Sequence, residues 1–176
     1  QRFMREDRVA SQLVHPNIAT IFDVGETDGL AWIACQFVDG ETVEDRIERE
    51  NRIVLGDAVD ILFQITRALQ YLHGKGIVHR DLKPENLFVA KDGRVKILDF
   101  GLAKLTQPET DAADSPTVST LTPDTQTGFI VGTVGYMSPE QVRGEPVDPR
   151  SDLFAIGAIL YEMLSGKRPF DAPTIA

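Results

Sequence analysis

Two side chains that could hold a metal face each other in the predicted geometry of one short hairpin. The β-type runs LFVA and RVKIL flank Lys91-Asp92-Gly93, and a two-residue turn at Asp92-Gly93 predicts that the runs pair. In that register Asn86 faces Asp99 at the open end of the hairpin. An amide oxygen and a carboxylate are oxygen ligands of the kind that Mg²⁺ prefers, so the hairpin predicts a magnesium site.

A carboxylate and a cation precede this pair along the chain. Asp81 and Lys83 lie just before Asn86. Asp81 is a candidate base for an attacking hydroxyl, and Lys83 is a candidate cation for holding a transferred group. Together with a metal that neutralises phosphate charge, these groups provide what phosphoryl transfer requires. Taken singly, each of them could be a turn or cap residue, and Asp99 could merely begin a turn.

Helices predicted on both sides of this stretch would position it. Apolar residues at helical spacing predict a helix over residues 3–14, with Glu6 in its apolar stripe. Glu6 is a candidate for pairing with a cation, although a half-exposed helix residue is the alternative. A second helix is predicted over residues 57–73, with Gly74 as its end. A third, over residues 152–164, is apolar nearly all round, which predicts a helix buried in a core rather than lying on a surface.

The remaining segments are predicted as strands, a surface helix and a loop. The runs at residues 15–25 and 30–38 are predicted strands around a polar turn at residues 26–29. The charged run at residues 41–50 predicts a short surface helix after a break at Asp39-Gly40. Residues 106–127 are rich in Thr, Ser, Pro, Asp and Glu and contain no Lys or Arg, which indicates a long solvated loop.

Composition excludes several classes of protein. The chain has 27 acidic and 18 basic residues in 176, a net charge of −9, which argues against nucleic acid and anionic membranes as partners. The single cysteine, Cys35, cannot form an internal disulfide, so a reducing cytoplasmic compartment is expected. No apolar run is long enough for a membrane span. The chain starts in helical rhythm without Met, so we expect a segment of a longer protein, in which a membrane anchor elsewhere is possible.

The order of the motifs resembles that of the eukaryotic-type serine/threonine protein kinases, in their bacterial form. HRDLKPEN at residues 79–86 and DFG at residues 99–101 resemble the catalytic loop and the metal-binding signature, and GTVGYMSPE at residues 132–140 resembles the substrate platform. The resemblance covers nearly the whole chain. It implies an α+β, two-lobed fold, with residues 1–38 as the remainder of a small β lobe and residues 39–176 as a mainly helical large lobe, truncated at its central buried helix.

The resemblance implies ATP and Mg²⁺ as cofactors, and it assigns roles in catalysis. Asp81 would be the catalytic base, and Lys83 would contact the γ-phosphate of ATP. Asn86 and Asp99 would hold Mg²⁺. Glu6 would pair with a strand lysine that lies upstream of residue 1. Because that lysine and the glycine-rich loop are outside the sequence, we expect little activity from the 176-residue chain alone.

Four further residues are implied to surround the adenine of ATP. Cys35 would be the gatekeeper, and the backbones of Gln36 and Val38 would meet the base. Phe88 would pack beneath the ring. As a side chain in its own right, Cys35 is expected to be a buried small apolar group rather than a reactive thiol.

Other residues are implied to hold the site together. His79 is expected to be structural and to pack against Phe100, without a part in proton transfer. Asp152 would tie the buried helix to the backbone of the catalytic loop. Glu140 would have its usual partner downstream of residue 176.

Regulation and specificity are implied by the segment between residues 99 and 140. Lys83 and Thr133 are marks of serine/threonine rather than tyrosine specificity. A phosphate on Thr125 or Thr127 would pair with Arg80 and order the segment. Such phosphorylation would occur in trans within a kinase dimer.

The sequence therefore predicts a protein kinase that transfers the γ-phosphoryl group of ATP to Ser or Thr of protein substrates. Two alternatives remain open. One is a kinase-fold binding or regulatory module without catalysis, and the other is a small-molecule phosphotransferase with a similar core. Retention of Asp81, Lys83 and both metal ligands argues against the first, and the platform at residues 132–140 argues against the second.

Overall fold

A computed structural model of the protein describes residues 13–27, 30–98 and 134–170. Short antiparallel strands and helices make up these ranges, which confirms the predicted α+β class. No helix within them is both long and apolar enough to cross a bilayer. The elements are β1 (Ile21–Thr27), β2 (Leu30–Cys35), β3 (Gly40–Thr42), α1 (Val43–Glu50), α2 (Leu55–His73), β4 (Leu87–Ala90), β5 (Val95–Ile97), α3 (Pro139–Val142) and α4 (Pro149–Ser165), with 3-10 turns at Pro84–Asn86 and Val134–Tyr136.

The first two strands form the predicted antiparallel hairpin. Ile21 in β1 pairs with Cys35 in β2. The predicted first strand begins earlier than β1 does, because the residues before Ile21 contact a different sheet. Ala19 N donates to Ile97 O over 3.0 Å, and Ile97 N donates to Asn17 O over 2.9 Å. These bonds attach the first hairpin to β5.

The second sheet has the order β3–β4–β5, and a three-residue loop joins its last two strands. Ala90 N donates to Arg94 O over 2.8 Å, so Lys91-Asp92-Gly93 form the loop. The φ angle of Gly93 is 80°, the left-handed conformation that ends such a loop and that glycine adopts without strain. The predicted two-residue turn is therefore wrong.

The extra loop residue shifts the hairpin register by one position. Leu87 pairs with Ile97, and Leu98 N donates to Asn86 O over 2.8 Å. The predicted pairing of Asn86 with Asp99 is wrong for this reason, since Leu98 is the residue opposite Asn86. Asp99 itself lies outside the described residues.

The predicted surface helix and the helix over residues 57–73 are both present. Thr42 begins α1 with a capping box, in which its hydroxyl accepts from Asp45 N and the Asp45 carboxylate accepts from Thr42 N. α2 starts two residues earlier than predicted and ends, as predicted, at Gly74, whose N–H donates to Gln70 O over 3.0 Å.

The core lies where α2 and α4 pack on each other and on the second sheet. α4 buries one face only, because Leu153 and Tyr161 on its other face are 56% and 51% exposed within the described structure. The prediction of a helix in the core is therefore confirmed for one face of α4, and its other face is exposed within the described structure. Fully buried members of the core include Ile65, Leu69 and Leu72 of α2, Leu87, Val95 and Ile97 of the sheet, and Ile159 and Met163 of α4.

Two predicted segments lie largely or wholly outside the described residues, and one strand of the structure was not predicted. The helix over residues 3–14 lies outside the described residues except for Leu13 and Val14, which are not helical. The loop over residues 106–127 also lies outside them. Where the sequence predicts only a break, Gly40 begins β3, and this strand was missed. The division of the chain between residues 38 and 39 stays a prediction.

Candidate active site

A turn between α2 and β4 carries the predicted catalytic residues, and its backbone is unusual. Arg80 has a φ angle of 68°, in the left-handed region that non-glycine residues rarely adopt. Leu82 is only 2% exposed and anchors the middle of the turn in the core. The chain then enters the 3-10 turn at Pro84–Asn86, in which Asn86 N donates to Lys83 O over 3.0 Å. We call residues 79–86 the catalytic turn.

Asp152 at the start of α4 holds the beginning of the catalytic turn. Its carboxylate, 1% exposed, accepts from His79 N and from Arg80 N, each over 2.9 Å. The Nε2 atom of His73 lies 2.7 Å from the same carboxylate. Charge-assisted bonds to backbone N–H groups are strong when water is excluded, so they offset the cost of the left-handed Arg80. This is the tie that the resemblance implied for Asp152.

The catalytic turn brings Asp81, Lys83 and Asn86 together. Lys83 Nζ lies 3.7 Å from Asp81 Oδ2, and both side chains are about one-fifth exposed. The Nδ2 atom of Asn86 donates to Asp81 O over 2.9 Å, and Asn86 is 7% exposed. A carboxylate and an ammonium group thus face solvent from one turn, while the amide behind them is fixed.

His79 has a structural position in the turn. It is 2% exposed, and its Nδ1 atom accepts from Asp81 N over 3.3 Å. This bond links the His79 side chain to the backbone of Asp81, across Arg80. The predicted packing of His79 against Phe100 lies outside the described residues.

Gln141, which directly follows the predicted substrate platform, contacts the catalytic turn. The sequence analysis missed this residue. Ser138 and Gln141 form a capping box at the start of α3. The Nε2 atom of the Gln141 amide donates to Arg80 O over 2.7 Å. The Ser-x-x-Gln pattern signals the cap, but only the fold reveals the second bond.

Glu140 on α3 has a partner within the described chain. Its Oε1 atom accepts from Ser151 Oγ over 2.5 Å. The hydrogen bond from the Ser151 hydroxyl is the main reason why the pKa of Glu140 lies below its ordinary value. α3 is therefore joined to the first turn of α4, next to Asp152.

A second missed pair lies beneath the platform. Tyr136 and Glu162 are 5% and 6% exposed, and the phenol of Tyr136 donates to Glu162 Oε2. Burial raises the pKa of Tyr136, and the hydrogen bond to Glu162 raises it further. Burial also raises the pKa of Glu162, although Tyr136 and Arg168 oppose this change.

Residues 35–38, which are predicted to meet adenine and which we call the hinge, are held mainly through Gln36 among the described contacts. Gln36 N donates to Thr20 O over 2.8 Å, and its side-chain oxygen accepts from Lys96 Nζ over 3.1 Å. Burial is the main cause that lowers the pKa of Lys96. Because its N–H is used within the protein, Gln36 would meet an adenine through its carbonyl group.

Cys35 is exposed, so the expectation of a buried apolar side chain is wrong. None of the described residues covers that end of β2. Val38 in the hinge and Phe88 on β4 are both partly buried. A cavity of about 270 Å³ also lies beside the hinge. It is lined by Gln36 and Val38 of the hinge, by Lys96 and by residues of the turn that joins β4 to β5. Because neither Cys35 nor Phe88 lines this cavity, it is not the predicted adenine site.

Comparison with known proteins identifies the family. Residues 1–175 match the protein kinase domain family. The chain belongs to this family. The small antiparallel sheets and the helices of the described ranges agree with a two-lobed kinase fold that is truncated.

Bacterial serine/threonine-protein kinases are similar over nearly the whole kinase chain. Serine/threonine-protein kinase pkn3 of Myxococcus xanthus is 44% identical, over 97% of this chain and 30% of that protein. PknA of Mycobacterium tuberculosis is 41% identical, over 97% and 38%. PknB of Mycolicibacterium smegmatis is 39% identical, over 98% and 27%. The chain therefore spans less than two-fifths of the length of these relatives, and the predicted likeness to bacterial kinases is confirmed.

Protein kinases generally use ATP and Mg²⁺, and one predicted ligand of this metal, Asn86, lies within the described residues. Because Nδ2 of Asn86 is bonded to Asp81 O, the amide oxygen is the atom left for a ligand, and Mg²⁺ takes oxygen ligands. The described ranges contain no group of three or more His, Cys, Asp or Glu residues that could hold a metal. The second predicted ligand, Asp99, lies outside them.

Several predicted kinase residues cannot be placed beside this site. Glu6, Phe100, Thr125, Thr127 and Thr133 lie outside the described ranges. Their roles stay predictions.

Proposed function

We propose that this chain belongs to a serine/threonine protein kinase that transfers the γ-phosphoryl group of ATP to Ser or Thr hydroxyls of protein substrates. The observation that carries the proposal is the catalytic turn, in which Asp81 and Lys83 face solvent while Asp152 fixes the backbone before them. Preorganised charge of this kind contributes much of the catalysis of phosphoryl transfer.

Asp81 is the proposed base. Its carboxylate orients the substrate hydroxyl and takes the hydroxyl proton as the oxygen bonds to the γ-phosphorus. The bond from that phosphorus to the bridging oxygen breaks, and ADP leaves with the electron pair. The bonds from Asn86 Nδ2 and to His79 Nδ1 fix the backbone on both sides of Asp81, so the base needs little reorganisation.

Lys83 and Asn86 are the proposed partners of the phosphate. The ammonium group of Lys83, 3.7 Å from Asp81, would contact the transferred group and balance the charge on the base. Asn86 and Asp99 would hold Mg²⁺, which neutralises the phosphate charge when bound. Lys83 and Thr133 support serine/threonine specificity.

The nucleotide would lie between the hinge and β4. Gln36 and Val38 would meet adenine through their backbones, Cys35 would line the pocket, and Phe88 would pack against the ring. The partial burial of Val38 in the hinge and of Phe88 on β4 supports this placement. Glu6 would support the nucleotide through a lysine outside this sequence.

The proposed regulation acts through Arg80. A phosphate on Thr125 or Thr127, added in trans within a kinase dimer, would pair with the guanidinium of Arg80. Because Arg80 also accepts from Gln141 through its backbone oxygen, such a phosphate would act on the joint between the catalytic turn and the platform. We place the kinase domain in the cytoplasm without membrane contact, and with no nucleic acid as a partner.

The test compares the full-length protein with its Asp81→Asn variant, using Mg²⁺-ATP, casein-like proteins and aminoglycosides as acceptors. We expect phosphoserine or phosphothreonine on protein, and a loss of about 100-fold or more in turnover for the variant. Asp39→Asn, at an exposed position beside the hinge, is the matched control and should keep full turnover.

Three results would contradict the proposal. Phosphate on the aminoglycoside but not on protein would indicate a small-molecule phosphotransferase. Equal turnover of wild type and Asp81→Asn would remove Asp81 from the chemistry, and an inactive wild type would favour a binding module.

A further inference from the structure

The cavity of about 270 Å³ beside the hinge has no part in the function proposed above. We call it the hinge cavity. Phe37, Val38 and Ala90 are its apolar lining residues, while Gln36 and Lys96 add polar groups. A concave site of this size and mixed lining suits a small molecule that has an apolar part and a polar group.

Lys96 lines the hinge cavity from β5, and two acceptors hold its ammonium group there. Its Nζ atom donates to Ile18 O over 3.2 Å and to Gln36 Oε1 over 3.1 Å. An ammonium group has three N–H donors, so one of them has no acceptor within the described residues. The position of the group is therefore fixed while one donor stays available to a ligand.

The charges that line the hinge cavity are balanced except at Lys96. The lining contains three cations and two carboxylates. Lys91 Nζ lies 2.9 Å from Asp39 Oδ2, and Arg94 Nε donates to Asp92 Oδ2 over 2.7 Å. Lys96 forms no ion pair with any residue in the part of the chain that the structure describes. One positive charge of the lining is therefore unmatched, although the chain as a whole carries a net charge of −9.

The surroundings of Lys96 favour an anion over a neutral ligand. Partial burial lowers the pKa of Lys96 and the charge of Arg94 lowers it further, while Asp92 opposes this change. The charged form of Lys96 thus lacks full hydration and a close counterion. An anionic oxygen would supply the counterion and would also accept the remaining N–H, and such charge-assisted hydrogen bonds are the stronger kind.

We propose that the hinge cavity binds a small organic anion, a carboxylate or a phosphate on an apolar body, whose oxygen accepts the third hydrogen bond of Lys96. The apolar body would lie against Phe37, an aromatic side chain that is 87% exposed within the described structure. Because Cys35 and Phe88 do not line the cavity, the anion and ATP would occupy different places.

The test measures the dissociation constants of three ring compounds for the full-length protein by isothermal titration calorimetry. Benzoate carries a carboxylate, phenyl phosphate carries a phosphate, and benzamide has the shape of benzoate without its charge. We expect saturable binding of benzoate or phenyl phosphate, and the tighter of the two identifies the anionic group. Benzamide should bind at least about tenfold more weakly than the tighter anion.

Two variants assign the binding to the hinge cavity. Lys96→Met removes the donor and should raise the dissociation constant of the tighter anion at least about tenfold. Lys167→Met, at an exposed lysine that does not line the cavity, is the matched control and should bind like the wild type. Phe37→Ala, at a side chain that is mostly exposed, should weaken binding several-fold and gives a second measure if Lys96→Met folds poorly.

Four outcomes overturn the proposal. The first is the absence of saturable binding of both anions to the wild-type protein, and the second is equal affinity for the anions and benzamide. The third is an unchanged dissociation constant in a folded Lys96→Met protein. The fourth is complete displacement of the anion by an ATP analogue with Mg²⁺, which would place it in the nucleotide site. Because every readout is a binding constant, none depends on whether the protein transfers phosphate.

Discussion

The catalytic turn and the hinge are held in different ways. In the catalytic turn, His79, Asn86 and the supporting Asp152 are 2%, 7% and 1% exposed. In the hinge, Cys35 is exposed and Phe37 is 87% exposed, and the main supports are bonds through Gln36. The site for chemistry is thus built by the core in which α2 and α4 pack on the second sheet, whereas none of the described residues encloses the hinge.

The comparison teaches where preorganisation comes from. A buried carboxylate that accepts from two backbone N–H groups fixes a turn more firmly than surface contacts do, because water cannot replace its bonds. Asp152 provides this support for Arg80 and His79. Substitutions that weaken the supports of the catalytic turn are therefore expected to have larger effects than changes at the hinge.

The largest effect is expected from Asp152→Asn. The amide oxygen can accept a hydrogen bond from only one of the two backbone N–H groups, those of His79 and Arg80. The amide NH₂ group then faces the other N–H group, which is also a donor. We expect the free energy of unfolding to fall by about 2 kcal/mol and turnover to fall by about 100-fold. Thermal unfolding and steady-state kinetics of the full-length protein measure the two losses.

Asp148→Asn, at the N-cap of the same helix, is the matched control. Asn and Asp are about equally good N-caps, so this variant should resemble the wild type. If Asp152→Asn retained full turnover, the support from α4 would not govern the catalytic turn.

A smaller effect is expected from Gln141→Glu. The new carboxylate can still accept from Ser138 N but cannot donate to Arg80 O, so the joint between platform and catalytic turn is lost. We expect turnover to fall about tenfold with little change in ATP affinity. Gln70→Glu on the exposed side of α2 controls for added charge, and an equal change in both variants would count against the joint.

Much of the catalytic turn could be predicted from the sequence, because its residues are close together in the chain. Asp81, Lys83 and Asn86 meet in the structure as their spacing suggested, and the tie from Asp152 was implied by the resemblance. The pairing of Asn86 with Asp99 was not correctly predicted. A left-handed glycine can end a two- or a three-residue loop, and the choice at Gly93 decides the register.

Contacts between distant segments could not be predicted. The capping pattern marks Gln141 locally, yet its bond to Arg80 O crosses 61 residues. Likewise nothing near Glu162 in the sequence indicates Tyr136, whose phenol donates to Glu162 only when α4 has packed. The exposure of Cys35 was missed because an apolar strand pattern does not show what covers the strand.

The hinge is tested by labelling of Cys35. If the hinge lines the nucleotide site, an ATP analogue with Mg²⁺ should slow alkylation of this exposed thiol several-fold. Peptide mass spectrometry of the full-length protein measures the rate at this site alone. The same rate with and without nucleotide would place the thiol away from the nucleotide.

The smallest effect concerns pH and Glu162. Burial raises the pKa of this carboxyl above 4.5, so the folded state binds a proton that the unfolded state releases. Stability from this group is present below about pH 4.5 and is lost as the pH rises through the raised pKa. Glu162→Gln should therefore gain stability relative to the wild type as the pH rises from 4 to 7.

Denaturation of the full-length protein at several pH values measures this gain. Glu48→Gln on the exposed face of α1 is the control and should show no such trend. A constant difference between Glu162→Gln and the wild type across the range would mean that burial of Glu162 does not affect its ionisation.

The central claim, that the catalytic turn presents Asn86 to a nucleotide-bound metal beside Asp81, is tested most directly by the Mg²⁺ dependence of turnover. Asn86→Ala should raise the half-saturating Mg²⁺ concentration at least about tenfold. Asn86→Asp, which keeps an oxygen ligand but loses the donor to Asp81 O, should raise it less. An unchanged Mg²⁺ requirement in an active Asn86→Ala protein would contradict the account.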